Sequence, residues 1–207
     1  MTVTKIEEYT KSKYKIYLND AFAFVLYKGE LRQYKIKEGE VLSDEIYQEI
    51  LKTVLTKRAK LRTMHLLQSV DRTEADVRRK LKEGLYPESV IDSAVAYVKS
   101  YHYIDDARYA GNYIDYRLGS MSRSELKQKL LQKGIDREIV EEQLEKRMEA
   151  GDAQEKELLK RLMLKKMKGL KSLDYQEKTR LFSYLYRKGF SLGDMERIYQ
   201  ELLLDIT

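Results

Sequence analysis

The stretch from Ser122 to Leu144, SRSELKQKLLQKGIDREIVEEQL, recurs in weaker form once before and once after itself, and a chain built from such copies has few folds open to it. Ser122 and Glu125 form an S-x-x-E capping box, Leu126 and Leu130 recur at helical spacing, and Gly134 suits the left-handed residue that closes a helix. A second helix starts near Asp136. Upstream, Arg72 to Ala94 repeats the arrangement: Thr73 and Asp76 are the cap pair, Val77 and Leu81 the apolar pair, Gly84 the stop, and Val90 and Ala94 belong to the next helix. Downstream, Leu181, Leu185, Gly189, Phe190, Met195 and Tyr199 fill the same slots. There the cap pair Asp174 and Glu177 sits a turn earlier relative to Leu181, which predicts a longer middle helix.

The pattern predicts a mainly α chain of three tandem three-helix repeats in an elongated, curved array, each packing mainly on its neighbours. The repeats occupy 56–102, 103–150 and 151–207, after an N-terminal region of 1–55. Helices are expected over Thr56 to Val70, Thr73 to Glu83 and Pro87 to Ser100; over Asp105 to Leu118, Ser122 to Lys133 and Asp136 to Met148; and over Asp152 to Lys168, Asp174 to Lys188 and Ser191 to Leu204. Gly119-Ser120 and Gly151-Asp152 are the expected joints. The N-terminal region differs. Tyr14, Ile16 and Leu18 alternate with polar residues, Asn19-Asp20 marks a turn, Phe22, Phe24 and Leu26 alternate again, and Lys28-Gly29-Glu30 precedes Leu31 to Ile36. This predicts a three-stranded antiparallel β meander, followed by a helix capped by Ser43 that leans on the sheet through Ile46, Ile50 and Val54.

Composition narrows the function. A mean hydropathy of −0.62 with 36% charged residues, and no apolar run near the roughly 20 residues of a membrane span, predict a soluble cytoplasmic chain without an export signal. The absence of cysteine excludes disulfides and thiolate metal sites. The net charge of +6 is unevenly spread: Thr56 to Lys82 carries nine basic against three acidic residues, and Glu155 to Phe190 eleven against four, flanking an acidic middle. Two basic blocks suit a surface that meets polyanions at separate places, although lysine and arginine also simply solvate long helices.

Catalytic signals are weak. His102, Asp105 and Asp106 invite an acid–base reading, but one of the aspartates is expected to cap the next helix while Ile104, Tyr109, Ala110 and Tyr113 pack against the preceding one. His65 and His102 are too few and too far apart for a metal site. Lys168-Gly169-Leu170-Lys171-Ser172 lacks the glycine spacing of a phosphate loop. No cofactor or metal is expected, and no enzyme. Of the seventeen tyrosines, Tyr175, Tyr184, Tyr186 and Tyr199 lie beside Arg180, Arg187 and Lys188, where they can stack bases or anchor a partner; most tyrosines are expected at the rim of a thin helical layer.

Three motifs stand in order along the chain: Arg72-Thr73-x-x-Asp76-Val77-x-x-Lys80-Leu81, Tyr103-Ile104-Asp105-Asp106-x-x-Tyr109-Ala110, and Ser122-Arg123-x-Glu125-Leu126-x-x-Lys129-Leu130-x-x-Lys133-Gly134. On them, Thr56 to Leu204 resembles the RecX regulatory proteins of bacteria, with the N-terminal strands similar to an extension found in some members. The first repeat is one residue short before Gly84, and the third has Tyr184 where the others have Lys80 and Lys129. The resemblance implies a regulator that binds the RecA recombinase, lies along the RecA filament on single-stranded DNA, and limits filament growth, ATP hydrolysis and strand exchange. The candidate contacts, to acidic protein surface or to DNA backbone, are Arg72, Arg78, Arg79, Arg123, Lys127, Lys129, Arg187 and Lys188. A monomer is expected, because the array buries its own faces.

Two other readings compete. A helical-repeat protein could act by occupying single- or double-stranded DNA without RecA, but Asp136, Glu138, Glu141, Glu142 and Glu145 make the helix after Gly134 too acidic for the major groove. Magnesium-dependent chemistry on nucleic acid would have only Asp105 and Asp106 to use.

Overall fold

The computed structural model describes residues 1–167 and 173–205, so the expectation for Lys168 to Ser172 lies outside the described residues. The chain divides into two compact units, Met1–Asp105 and Asp106–Thr207.

The first unit opens with an antiparallel meander of β1 (Val3–Thr10), β2 (Lys13–Leu18) and β3 (Ala21–Tyr27), in that order across the sheet. Ile16 pairs with Ile6 on one side and Phe24 on the other, and Ile16, Leu18, Phe24 and Leu26 are buried as the alternation predicts. Phe22 is not, because a register shift between Phe24 and Phe22 breaks the alternation and leaves it 42% exposed against Tyr17. Asn19 and Asp20 both take left-handed φ angles, 48° and 65°, in the two-residue turn between β2 and β3. The third strand is not where the sequence placed it. Leu31 to Ile36 was expected as strand, but Lys28–Gln33 forms helix α1, and the missing strand is β1, ahead of the other two. The Glu30 carboxylate accepts the Tyr27 amide at 2.7 Å and the Arg58 guanidinium at 2.5 Å, which ends β3 and turns the chain into a helix. Strand β1 hides in the sequence because its outer positions are charged and only Val3 is buried.

Helix α2 (Asp44–Glu49) starts at Ser43, whose hydroxyl accepts the Ile46 amide at 3.3 Å. It runs without a break through a π-helical segment, Ile50–Leu55, into α3 (Thr56–Leu67). Ile50 and Leu55 are both fully buried although five residues separate them, and the wide π turn is what brings both inward. The carbonyl of Leu51 accepts both the amide and the hydroxyl of Thr56 there. Helices α4 (Glu74–Glu83) and α5 (Glu88–Ser100) complete the unit, with Pro87 at the N-cap of α5 rather than in its first turn. Ile16, Phe24 and Leu26 from the sheet share one core with Ile50, Leu81, Ile91 and Val95, and the Phe24 and Tyr47 rings meet at 5.9 Å. Each such apolar side chain contributes about 1.5–3 kcal/mol by leaving water.

The second unit holds α6 (Asp106–Arg117), α7 (Arg123–Gln132), α8 (Arg137–Glu145), α9 (Met148–Met167), α10 (Tyr175–Arg187) and α11 (Leu192–Asp205). One core gathers Ile114, Leu126, Leu130 and Val140; another gathers Leu159, Met163, Leu185, Met195 and Tyr199. The expected joint at Gly151-Asp152 lies inside α9; the break comes earlier, at Lys146-Arg147, where α8 ends. Nor do the Ile104 to Tyr113 side chains pack as one group: Ile104 enters the first unit's core, whereas Tyr109, Ala110 and Tyr113 join that of the second.

The recurring module is legible in hydrogen bonds. Thr73, Ser122 and Asp174 each accept the backbone amide three residues on, and α10 is the longer helix expected of the third copy. Each middle helix closes with the same bond spanning five residues, from Tyr86 to Leu81, from Ile135 to Leu130 and from Phe190 to Leu185. The left-handed residue before it is Gly134 (φ 77°) or Gly189 (φ 90°) in two copies. In the first copy it is Leu85 (φ 61°), not Gly84, and the span from Leu81 to Tyr86 equals that from Leu130 to Ile135, so the first repeat is not a residue short: a leucine stands where glycine sits elsewhere.

Candidate partner interface

The eight candidate cations fall into three places. Arg72 just before α4, and Arg78 and Arg79 in its middle, are committed to carboxylates of the first unit. Arg72 reaches Asp76 at 2.6 Å and the Leu66 carbonyl at 2.9 Å. Arg78 bridges Glu74 (2.8 Å) and Asp92 (2.7 Å), and Arg79 pairs with Asp76 and with Glu83. Burial opposes ionisation of Asp76, yet the hydrogen bonds from Arg72 and Arg79 hold its carboxyl below the ordinary range. These arginines therefore neutralise their own helix more than they offer free charge.

Arg123, Lys127 and Lys129 lie on α7, and Arg187 and Lys188 at the end of α10; the structure brings these two sets together within the second unit. The Ser122 hydroxyl, 1% exposed, donates to the Lys188 carbonyl at 2.6 Å, and the Lys188 ammonium lies 3.7 Å from Glu125. Gly189 permits the approach: a Cβ there would stand 2.7 Å from Ser124 Cβ. Lys127 bonds to Glu141 at 2.6 Å, and hydrogen bonds from Lys127 and Arg137 pull the Glu141 carboxyl down to about 2. The acidic helix α8 thus neutralises α7 locally. Among the described residues, Arg123, Lys129 and Arg187 have no paired carboxylate, and the last two are exposed.

Between α7, α9 and the α10–α11 turn opens a groove of about 610 Å³. Arg123 and Lys127 line one side, as the sequence suggested. Lys156 and Arg197 add two cations that it did not, and Asp152, Glu155 and Asp194 add three carboxylates. Glu155 accepts the Arg123 amide at 2.9 Å, so a carboxylate of α9 sits at the positive end of α7. Burial raises its carboxyl, the Arg123 amide opposes that, and Asp152 and Asp194 add to it. Asp194 in turn accepts from Ser191 at 2.6 Å and pairs with Arg197. No periodicity marked Glu155 or Arg197, because their roles depend on helices far apart in sequence. Four cations among three carboxylates make a mixed surface, better matched to a protein of mixed charge than to bare phosphates.

The remaining candidates divide plainly. Tyr199 is core, its hydroxyl accepting the Leu173 amide at 3.2 Å, and Tyr184 is half-buried under Lys166, whereas Tyr175 and Tyr186 are exposed. Asp106 lies in the first turn of α6 with Asp105 just before it, and His102 takes a left-handed turn after α5. Among the described residues no three histidine or carboxylate side chains converge as metal ligands, and no helix is long and apolar enough to cross a membrane.

Residues 105–144 match the family model for the second three-helix domain of RecX, and residues 153–198 that for the third. The chain is similar to the regulatory protein RecX of Clostridium acetobutylicum, 27% identical over 97% of this chain and 96% of the relative, and to that of Clostridium beijerinckii, 29% identical over 98% and 95%. A crystal structure of a regulatory protein RecX superposes with a TM-score of 0.66 at 27% identity, covering 96% of this chain and 98% of the other. That of RecX from Lactobacillus salivarius shares the fold with a TM-score of 0.64 at 24% identity, covering 72% and 97%.

Proposed function

This chain belongs to the RecX family, and on that premise we propose that it modulates the RecA recombinase, binding the RecA filament on single-stranded DNA and limiting its growth, ATP hydrolysis and strand exchange. The observation that carries the reading is similarity over nearly the whole chain to proteins named for regulation. The charge pattern supports a protein partner: the groove beside α7 mixes cations and carboxylates, while Arg123, Lys129 and Arg187 offer cations for acidic surface or DNA backbone. Arg72, Arg78, Arg79, Lys127 and Lys188 would contribute by exchanging their internal carboxylates for those of the partner. The protein acts as a monomer in the cytoplasm, and several weak contacts to successive RecA protomers would add through their high effective concentration.

The test is RecA-dependent ATP hydrolysis on single-stranded DNA, with this protein titrated in well below one copy per RecA and the titration repeated at higher salt. Inhibition at those ratios, without measurable coating of free DNA, is the expected result. Inhibition that appears only when the DNA is coated, and that collapses steeply with salt, would instead mean competition for phosphates.

A further inference from the structure

We propose that the first unit carries a binding site for a short single-stranded polynucleotide, in a groove between the end of the β1–β2 hairpin, α3 and the α4–α5 turn. The groove measures about 630 Å³, within the roughly 300–1,000 Å³ of ordinary ligand sites, so it takes one or two nucleotides rather than a long tract. It is separate from the groove beside α7, which lies in the other unit.

The strongest observation is at Tyr9. Glu8 pairs with Tyr14 and Thr10 with Lys13, which leaves Tyr9 as the extra residue of a β-bulge with no partner across the ladder. A bulge at a strand end re-aims a side chain, and here the ring lines the groove with the Lys15 ammonium 5.0 Å from its centre and is 47% exposed, so a base would stack on the ring beside that cation. Tyr27 faces the same groove under Arg58, whose guanidinium lies 4.5 Å from the ring centre and is fixed by Glu30 and by the Val25 carbonyl at 3.2 Å. That wall is rigid and its cation is spent. Lys13, 5.3 Å from the Tyr27 ring, and the exposed Arg62 are not: among the described residues no carboxylate pairs with either. Leu61, 51% exposed, adds apolar surface between them.

Aromatic faces, an exposed leucine and unspent cations in one concavity fit flat apolar rings strung on an anionic backbone. The site is concave and small, so a duplex, which presents a convex rod with its bases stacked inside, cannot enter it; splayed single-stranded bases can. An acidic peptide would satisfy Lys13 and Arg62 but would give the presented ring of Tyr9 nothing to stack on.

The test uses the full chain without RecA, so its outcome is independent of the regulatory reading. Fluorescence anisotropy of a labelled oligodeoxythymidylate is measured against the parent, Tyr9→Ala, Tyr9→Phe and Arg62→Ala. Tyr9→Ala should weaken binding about tenfold or more, the size of one lost stacking contact, while Tyr9→Phe, which keeps the ring, stays within about twofold of the parent. Arg62→Ala should lower the slope of log affinity against log salt by about 0.7, one phosphate contact on a single strand. Parental binding by Tyr9→Ala, no binding by the parent, or loss in Tyr9→Phe equal to that in Tyr9→Ala would overturn the proposal. Displacement of the oligonucleotide by polyglutamate with the same potency from parent and Tyr9→Ala would assign the groove to acidic peptide instead.

Discussion

The Ser122 hydroxyl does two things at once: it accepts the Glu125 amide at 3.1 Å, capping α7, and donates to the Lys188 carbonyl at 2.6 Å, where α10 ends. One buried side chain thereby fixes the start of one module's middle helix against the end of the next module's. Removing it leaves an amide and a carbonyl without their partner. Ser122→Ala should cost about 2 kcal/mol, at the upper end for a cap, whereas Asp174→Ala, an exposed cap, should cost about 1 kcal/mol. Urea titrations of the two variants measure this, and equal losses would deny Ser122 its second role.

Gly189 makes that contact possible. Its φ of 90° and the 2.7 Å that would separate a Cβ from Ser124 Cβ combine strain with overlap. Gly39 has a similar φ of 83° but open space around it. Gly39→Ala should cost about 1–2 kcal/mol from backbone conformation alone. Gly189→Ala should exceed it by about 1–3 kcal/mol from crowding, seen as a larger fall in Tm.

Glu155 gives stability a measurable pH signature. Its carboxyl is raised by burial above the usual 4.5, so the folded state holds the proton more tightly than the unfolded chain. Folding stability from this group therefore falls as pH rises from about 4.5 through the raised value, and stays lower above it. Glu155→Gln keeps an acceptor for the Arg123 amide and removes the penalty. Relative to the parent, the variant should gain stability as pH is raised from 4 to 7 in thermal melts; a constant difference would show that the carboxyl is not perturbed. Glu141 works with the opposite sign, since its depressed carboxyl is a source of stability present above about 4.5 and lost as pH falls from there toward about 2.

Charge reversal separates the candidate cations by what they are already doing. Arg123→Glu with Lys127→Glu should weaken inhibition of RecA-dependent ATP hydrolysis by tenfold or more at unchanged helical content. Arg78→Glu with Arg79→Glu disrupts contacts to Glu74, Asp92, Asp76 and Glu83, so it should lower the first unit's melting temperature as well. Full inhibition by the first pair would remove α7 from the interface.

Helices and caps were legible because they rest on neighbours in sequence: Ser122 with Glu125, Asp174 with Glu177, Leu126 with Leu130. Strand β1 was not, since its alternation is masked by charges at an exposed edge, and Leu31 to Ile36 looked like strand because the reach of Glu30 to Arg58 crosses 28 residues. The same limit applies to the groove beside α7. Arg123 and Lys127 stood out as basic residues in a repeated module, but Glu155 and Arg197 acquire meaning only when α9 and α11 fold against them. Leu85 shows the converse: aligning Gly84 with Gly134 suggests a missing residue, yet the backbone keeps the full spacing and puts the leucine, not Gly84, in the left-handed place.

The π turn at Ile50–Leu55 has a genealogical consequence. In an ordinary helix one inserted residue rotates everything after it by about 100°, turning an inward face outward. Here the surplus is confined to one widened turn, so Tyr47 and Ile50 stay against the sheet while Ala59, Thr63 and Leu66 remain buried on the helix beyond. A sheet-bearing extension and a helical repeat can thus be spliced through a single continuous rod without agreeing on phase. Comparisons among related chains should therefore place a gap inside this segment, where length can change by one without either half losing its partners.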